Sequence, residues 1–162
     1  MAIQNSIPPT LVSVSLPHTW DHIRQIRGRV AEALKDADES LRSATVMVTS
    51  ELLENAVKYG EAVPTARNIS VSLKVTETSI VIRVTNGSAD AGAVATLARR
   101  VDEIMSAPDK SVLYFARLEE LMSEPTETGK LGLYRIAFEG RFDIRLSYKN
   151  QVVTMIATRD YL

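Results

Sequence analysis

The sequence predicts an α+β fold: a two-layer sandwich with a mainly antiparallel five-stranded sheet and its helices on one face. Three observations carry that expectation. Five segments alternate apolar and polar residues with the period of a half-buried strand. Two pairs of these segments are joined by connections too short for a parallel crossover, so each pair reads as a hairpin. Between them lie long stretches with helical spacing of apolar residues. With 162 residues the chain reads as a single domain, 1–162, long enough for one sizeable core.

In chain order, TLVSVSL at 10–16 is the first strand, and Pro17 ends it. Thr19 stands where it could cap a helix running through Trp20, Ile23, Ile26, Val30 and Leu34. The acidic stretch Asp36 to Glu39 reads as a break. A long helix is expected from about Leu41 to Tyr59, with Gly60 as a left-handed residue closing it. Ile69, Val71, Leu73 and Val75 share one face of the next strand, and Ile80, Ile82 and Val84 that of its hairpin partner. A helical stretch follows from about Ala91 to Met122, interrupted near Pro108. Pro125, Thr126, Thr128 and Gly129 read as a loop, and a short helix should begin near Leu131. Two last strands, 142–148 and 152–157, meet at Lys149-Asn150.

Composition narrows the function classes. Nineteen basic against 20 acidic residues leave a formal charge of −1, so no broad footprint for nucleic acid is expected. The absence of cysteine excludes disulfides, thiolate zinc sites and cysteine nucleophiles. The opening MAIQNSIPPTLVS lacks the charged and apolar regions of a signal peptide. No run of about 18 apolar residues suggests a membrane span. A cytoplasmic protein with no membrane partner is the expectation.

The most informative segment is SELLENAVKYG, Ser50 to Gly60. At about 100° per residue, Glu51, Asn55 and Lys58 fall within roughly 60° of one another on one helix face. Leu52, Leu53, Ala56 and Val57 cover the opposite arc. A carboxylate, an amide and an ammonium aligned in this way could hold a hydrated magnesium ion and the phosphates it bridges. On spacing alone a solvated polar face explains the same pattern.

The segment resembles the N-box of the GHKL (Bergerat-fold) ATPase and kinase superfamily. Asn55, Lys58 and Tyr59 match the N-x-x-K-aromatic tail of its kinase branches. Glu51 matches the acidic position of the anti-sigma-factor serine kinases. The resemblance implies a histidine-kinase-like ATPase fold, ATP and Mg²⁺ as cofactors, Asn55 as magnesium ligand and Glu51 as general base on an incoming hydroxyl. The order of strands, helices and loops follows the family over most of the chain.

Two further boxes depart from the family pattern. In VIRVTNGSADAG, Asn86 stands where the family has an Asp that accepts a hydrogen bond from adenine. Its amide keeps an acceptor but loses the strength of a charged one. Ser88 and Asp90 replace the two glycines; a polar strand-end turn at Asn86-Gly87 is the alternative reading. The glycine-rich G-x-G-L-G-L box becomes TGKLGL, in which Gly132 keeps its place and Lys130 adds a cation that could meet phosphate. A Walker-type loop is excluded, because the upstream Gly and the Ser or Thr after Lys130 are missing. These departures are similar to the SiaB-type protein kinases. That likeness implies a small signalling protein as partner, of the anti-sigma-antagonist-like or SiaC-like kind. Dimerisation through the first helix or a sheet edge is compatible with the sequence.

Other signals were weaker. His18 and His22 are spaced as a metal pair, but Pro17 and Thr19 set His18 outside the helix and no HExxH pattern is present. Arg99-Arg100 and Lys110 read as a solvated face. Two functions stay open: a Ser/Thr kinase using Glu51, Asn55, Lys58, Asn86, Lys130 and Gly132, or a degenerate GHKL domain that sequesters a partner without phosphoryl transfer.

Overall fold

The computed structural model describes residues 10–123 and 131–161. The strands are β1 (Thr10–Leu16), β2 (Ile69–Val75), β3 (Ser79–Gly87), β4 (Asp143–Lys149) and β5 (Val152–Asp160). The helices are α1 (Ile23–Ala33), α2 (Glu39–Tyr59), α3 (Ala91–Ser106), α4 (Lys110–Ser123) and α5 (Gly132–Phe138). The strands form one open sheet in the order β1-β2-β3-β5-β4, with every neighbouring pair antiparallel.

Register follows from burial. Val12 faces Leu73, Val71 faces Val84, Ile82 faces Ala157 and Ile144 faces Ala157, so these residues of the five strands share one face. They are buried there. The intervening Ser70, Lys74 and Arg83 are exposed on the other face, as expected for an antiparallel sheet covered on one side. The cover is helical. Val48, Leu52, Leu53 and Ala56 of α2 enter the same core as Ile26 and Val30 of α1, Ile104 of α3 and Ile136 of α5.

Local chemistry sets the helix ends, and several differ from the sequence expectation. Thr19 makes no capping bond; Trp20–His22 form a single 3-10 turn before α1 begins. The expected acidic break separates α1 from α2, which begins at Glu39, the last residue of that stretch. Asp38 accepts from the backbone N–H of Ser40 at 3.0 Å and of Leu41 at 3.3 Å, a cap that contributes about 1 kcal/mol. Gly60 is extended (φ −88°), not left-handed. The β4–β5 turn is centred on Asn150 and Gln151, both at positive φ (52° and 61°), one residue beyond the predicted junction. Asn86-Gly87 is no turn: both residues are in β3, paired with Val153 and Val152. The β2–β3 hairpin turns at Glu77 and Thr78 as expected, clamped by Thr76, whose Oγ1 accepts from the backbone N–H of Ser79 at 2.9 Å. Helix formation stops between Ser106 and Lys110, around Pro108. The loop assigned to Pro125, Thr126, Thr128 and Gly129 lies outside the described residues, as does Lys130. No helix among the described residues is long and apolar enough to cross a membrane.

Candidate functional site

The C-terminal half of α2 has two faces. Its apolar arc is buried in the core, which holds the opposite arc against the ends of β3 and α5. There a cavity of about 250 Å³ opens, close to the smaller ligand clefts of roughly 300 Å³. From α2 it is lined by Asn55, Ala56 and Tyr59. The end of β3 contributes Asn86, and Ser88 follows; Gly132 and Leu133 of α5 and Val153 and Met155 of β5 complete the floor. One face of α3 closes the side with Ala93, Thr96, Leu97 and Arg100.

One end of this cavity is built from backbone and amides. Asn86 is buried, and its Nδ2 donates to the carbonyl of Gly87 at 3.0 Å. That bond leaves Oδ1 as the acceptor still to be used. Gly60 lets α2 end directly on this amide: a Cβ there would collide with the Ala56 carbonyl and stand 2.6 Å from Asn86 Nδ2. Gly87 is equally confined, since a Cβ would meet the Glu61 carbonyl, Val63 Cγ2 at 2.5 Å and the Ala66 carbonyl at 2.9 Å. The same Gly87 carbonyl accepts from Glu61 N–H at 2.9 Å, and Glu61 Oε1 accepts from Ala89 N–H at 2.7 Å. Ser88 is held from both sides: its N–H donates to the Gln151 carbonyl at 2.8 Å and its carbonyl accepts from Tyr148 Oη at 2.7 Å. Asp90 does not join the lining; it caps α3, accepting from Ala93 N–H at 2.9 Å.

The other end is built from charges. Glu51 accepts from Arg135 Nη1 at 2.6 Å, and Arg135 Nε donates to Glu139 at 3.0 Å. Glu139 in turn accepts from Tyr114 Oη at 2.5 Å, so a chain of contacts joins α4, α5 and α2. Desolvation pushes the Glu51 carboxyl above its ordinary pKa; Arg135 pulls it down, and nearby Glu54 adds to the rise. Desolvation also acts on Glu139, but hydrogen bonds from Tyr114 and Arg135 outweigh it and hold that carboxyl below the usual range. Gly132 makes room for Glu51: a Cβ at this position would strike Glu51 Oε2. Its service to the site is space for a carboxylate.

Among the residues singled out from sequence, Asn55, Asn86 and Gly132 line one cavity. Glu51 is one turn behind Asn55, against Gly132 and outside the lining. Lys58 is exposed, its Nζ 5.2 Å from the ring centroid of Tyr59, and does not reach the cavity wall. Two arginines of this region escape a reading of the sequence. Arg100 reads as part of a solvated face, although it recurs one and two turns after Thr96 or Leu97 and Ala93. Arg135 carried only its i, i+4 relation to Glu139; its pairing with Glu51 spans 84 positions and leaves no local trace.

Magnesium can be tested against these residues. Among the described residues no group of three or more His, Cys, Asp or Glu could hold a metal ion. That includes His18, whose Nε2 is buried without a hydrogen-bond partner. An all-protein cage is therefore not offered, whereas Mg²⁺ carried by phosphates needs one or two protein oxygens. Asn55 fits that lesser demand: it lines the cavity, and its side-chain amide carries one hard oxygen, Oδ1. No protein-family model matches the chain, and no curated protein matches it.

Proposed function

We propose that the chain is an ATP- and Mg²⁺-dependent serine/threonine protein kinase of the GHKL (Bergerat) kind, similar to the anti-sigma and SiaB-type kinases. Its substrate would be a small partner protein in cytoplasmic partner-switching signalling. One observation carries this reading: Asn55, Asn86 and Gly132, matched to three separate boxes of the family, line a single cavity. Nothing in their local spacing requires that.

In this reading the adenine amino group donates to Asn86 Oδ1, and Val153, Met155 and Leu97 supply apolar contact to the base. Asn55 holds the magnesium, which when bound neutralises phosphate charge. A hydroxyl of the partner attacks the γ-phosphorus, the bond from that phosphorus to the ADP oxygen breaks, and the hydroxyl proton passes to Glu51. A carboxylate raised by desolvation is better suited to accept that proton than an ordinary one. Most of the catalysis is positioning and electrostatics, as phosphoryl transfer requires.

The alternative, a GHKL-like domain that binds a partner without phosphoryl transfer, draws on a specific contact: Glu51 is tied to Arg135 and pressed against Gly132. Calorimetric titration of ATP and ADP, with and without Mg²⁺, into wild type and Asn55→Ala separates the two. Binding that depends on Mg²⁺ and Asn55 supports the kinase, and Glu51→Gln should then retain nucleotide but lose transfer. No binding at millimolar nucleotide leaves the partner-binding domain.

A further inference from the structure

The cavity has a polarity that two helices measure independently. Along α2, Gly60 touches Asn86 and Glu51 touches Gly132. These nine residues put the two contacts about 13 Å apart at 1.5 Å per residue. Along α3, the lining runs from Ala93, near the β3 end, to Arg100. Those seven residues span about 10 Å. Arg100 thus stands at the Gly132 end, where its charge opposes the rise that burial imposes on the Tyr134 hydroxyl.

Arg100 is the one cationic side chain among the described lining residues. It makes no hydrogen bond and no ion pair among the described residues, whereas Arg135 is tied to two carboxylates. A half-buried guanidinium without a carboxylate partner is a ready site for an anion. Asn55, whose Nδ2 has no hydrogen-bond partner among the described residues, lines the same cavity. The opposite end offers a fixed amide acceptor, and the floor between them is apolar. A ligand that fits has a planar hydrogen-bonding head and an anionic tail about 10 Å away.

We propose that Arg100, and not Lys58, is the phosphate-binding cation of this cavity, taking the tail of a nucleotide whose base lies against Asn86. The proposal rests on the nucleotide reading above and adds the residue that selects for a charged tail.

Adenosine, AMP and ADP titrated calorimetrically into the full chain, at fixed ionic strength and fixed Mg²⁺, provide the test. Wild type should prefer ADP to adenosine. Arg100→Gln should lose at least about tenfold in ADP affinity, as for a hydrogen-bonded charge, with adenosine binding within about twofold of wild type. Lys58→Gln should change neither ligand by more than about twofold, because an exposed charge is screened. Equal losses for adenosine and ADP in Arg100→Gln would mean a packing role and overturn the proposal. So would ADP affinity unchanged by that substitution, or wild type binding ADP no tighter than adenosine; each leaves the nucleotide reading standing. Wild type binding neither ligand overturns both. Should Arg100→Gln lose its cooperative unfolding transition, Arg100→Lys decides: retained preference for ADP over adenosine is expected, and its disappearance in a folded protein refutes the assignment.

Discussion

The two ends of the cavity are held by different physics. At the Asn86 end, the close contacts are with backbone: the Ala56 carbonyl at Gly60, the Glu61 and Ala66 carbonyls at Gly87, and the Gly87 carbonyl that Asn86 bonds, around glycines that are extended rather than left-handed. At the Glu51 end, the contacts are between charged side chains on rotatable stems, Glu51, Arg135 and Glu139, with Tyr114 behind them. Backbone cannot yield without moving a strand or a helix, whereas a carboxylate can swing. The first end therefore presents one fixed hydrogen-bonding pattern, and the second can rearrange around an arriving charge.

Substitutions should expose that difference, most severely at the backbone end. Gly87→Ala puts a methyl group against two carbonyls and Val63. It should cost about 3 kcal/mol, the upper part of the usual range for overpacking, read as a lowered urea midpoint with unchanged slope. Gly132→Ala meets only the end of the Glu51 side chain. Its cost should be nearer 1 kcal/mol, with the Arg135 contact displaced instead. Equal losses for the two glycines would erase the contrast.

Tyr114→Phe probes the outer link of the charged chain, and a loss of about 1 kcal/mol at neutral pH is expected for a hydrogen bond to a carboxylate that is part-exposed. Its pH dependence has a definite sign. Glu139 is held below its ordinary pKa in the folded state. Its contribution is thus present above the unfolded carboxylate range and fades as pH falls through the folded value. The gap between wild type and Tyr114→Phe should narrow on acidification; a gap that widens toward acid would contradict the assignment.

The smallest effect is expected at Glu51, with the opposite sign. Desolvation outweighs Arg135 there and raises the carboxyl. Its ionised form therefore burdens the fold above that raised value and not below the unfolded one. Glu51→Gln, which keeps an acceptor for Arg135, should leave stability unchanged near pH 4 and raise it by about 0.5 kcal/mol near pH 8. A stability gain coupled to lost phosphoryl transfer is the trade expected of a functional charge. Destabilisation at pH 8 instead would make Glu51 a structural ion-pair partner.

Strand faces, both hairpins, the break at Pro108 and the Leu52, Leu53, Ala56 stripe of α2 were legible from residue order. Each is a local periodicity or a local turn, and the hydrophobic effect acts on it wherever the segment is placed. The polar trio of α2 was legible as a face but not as a site: its Asn55 turns into the cavity and its Lys58 out into solvent, though they are three positions apart. Gly60 reads locally as a left-handed cap, yet it is extended, and what bars a Cβ there is the Ala56 carbonyl together with the side chain of Asn86, 26 positions away. Arg100 and Arg135 illustrate the same division. Which arginine is neutralised and which is left facing a cavity depends on where three helices converge. That convergence is set by packing the apolar stripes onto one sheet, an interaction summed over the whole core and written in no single segment.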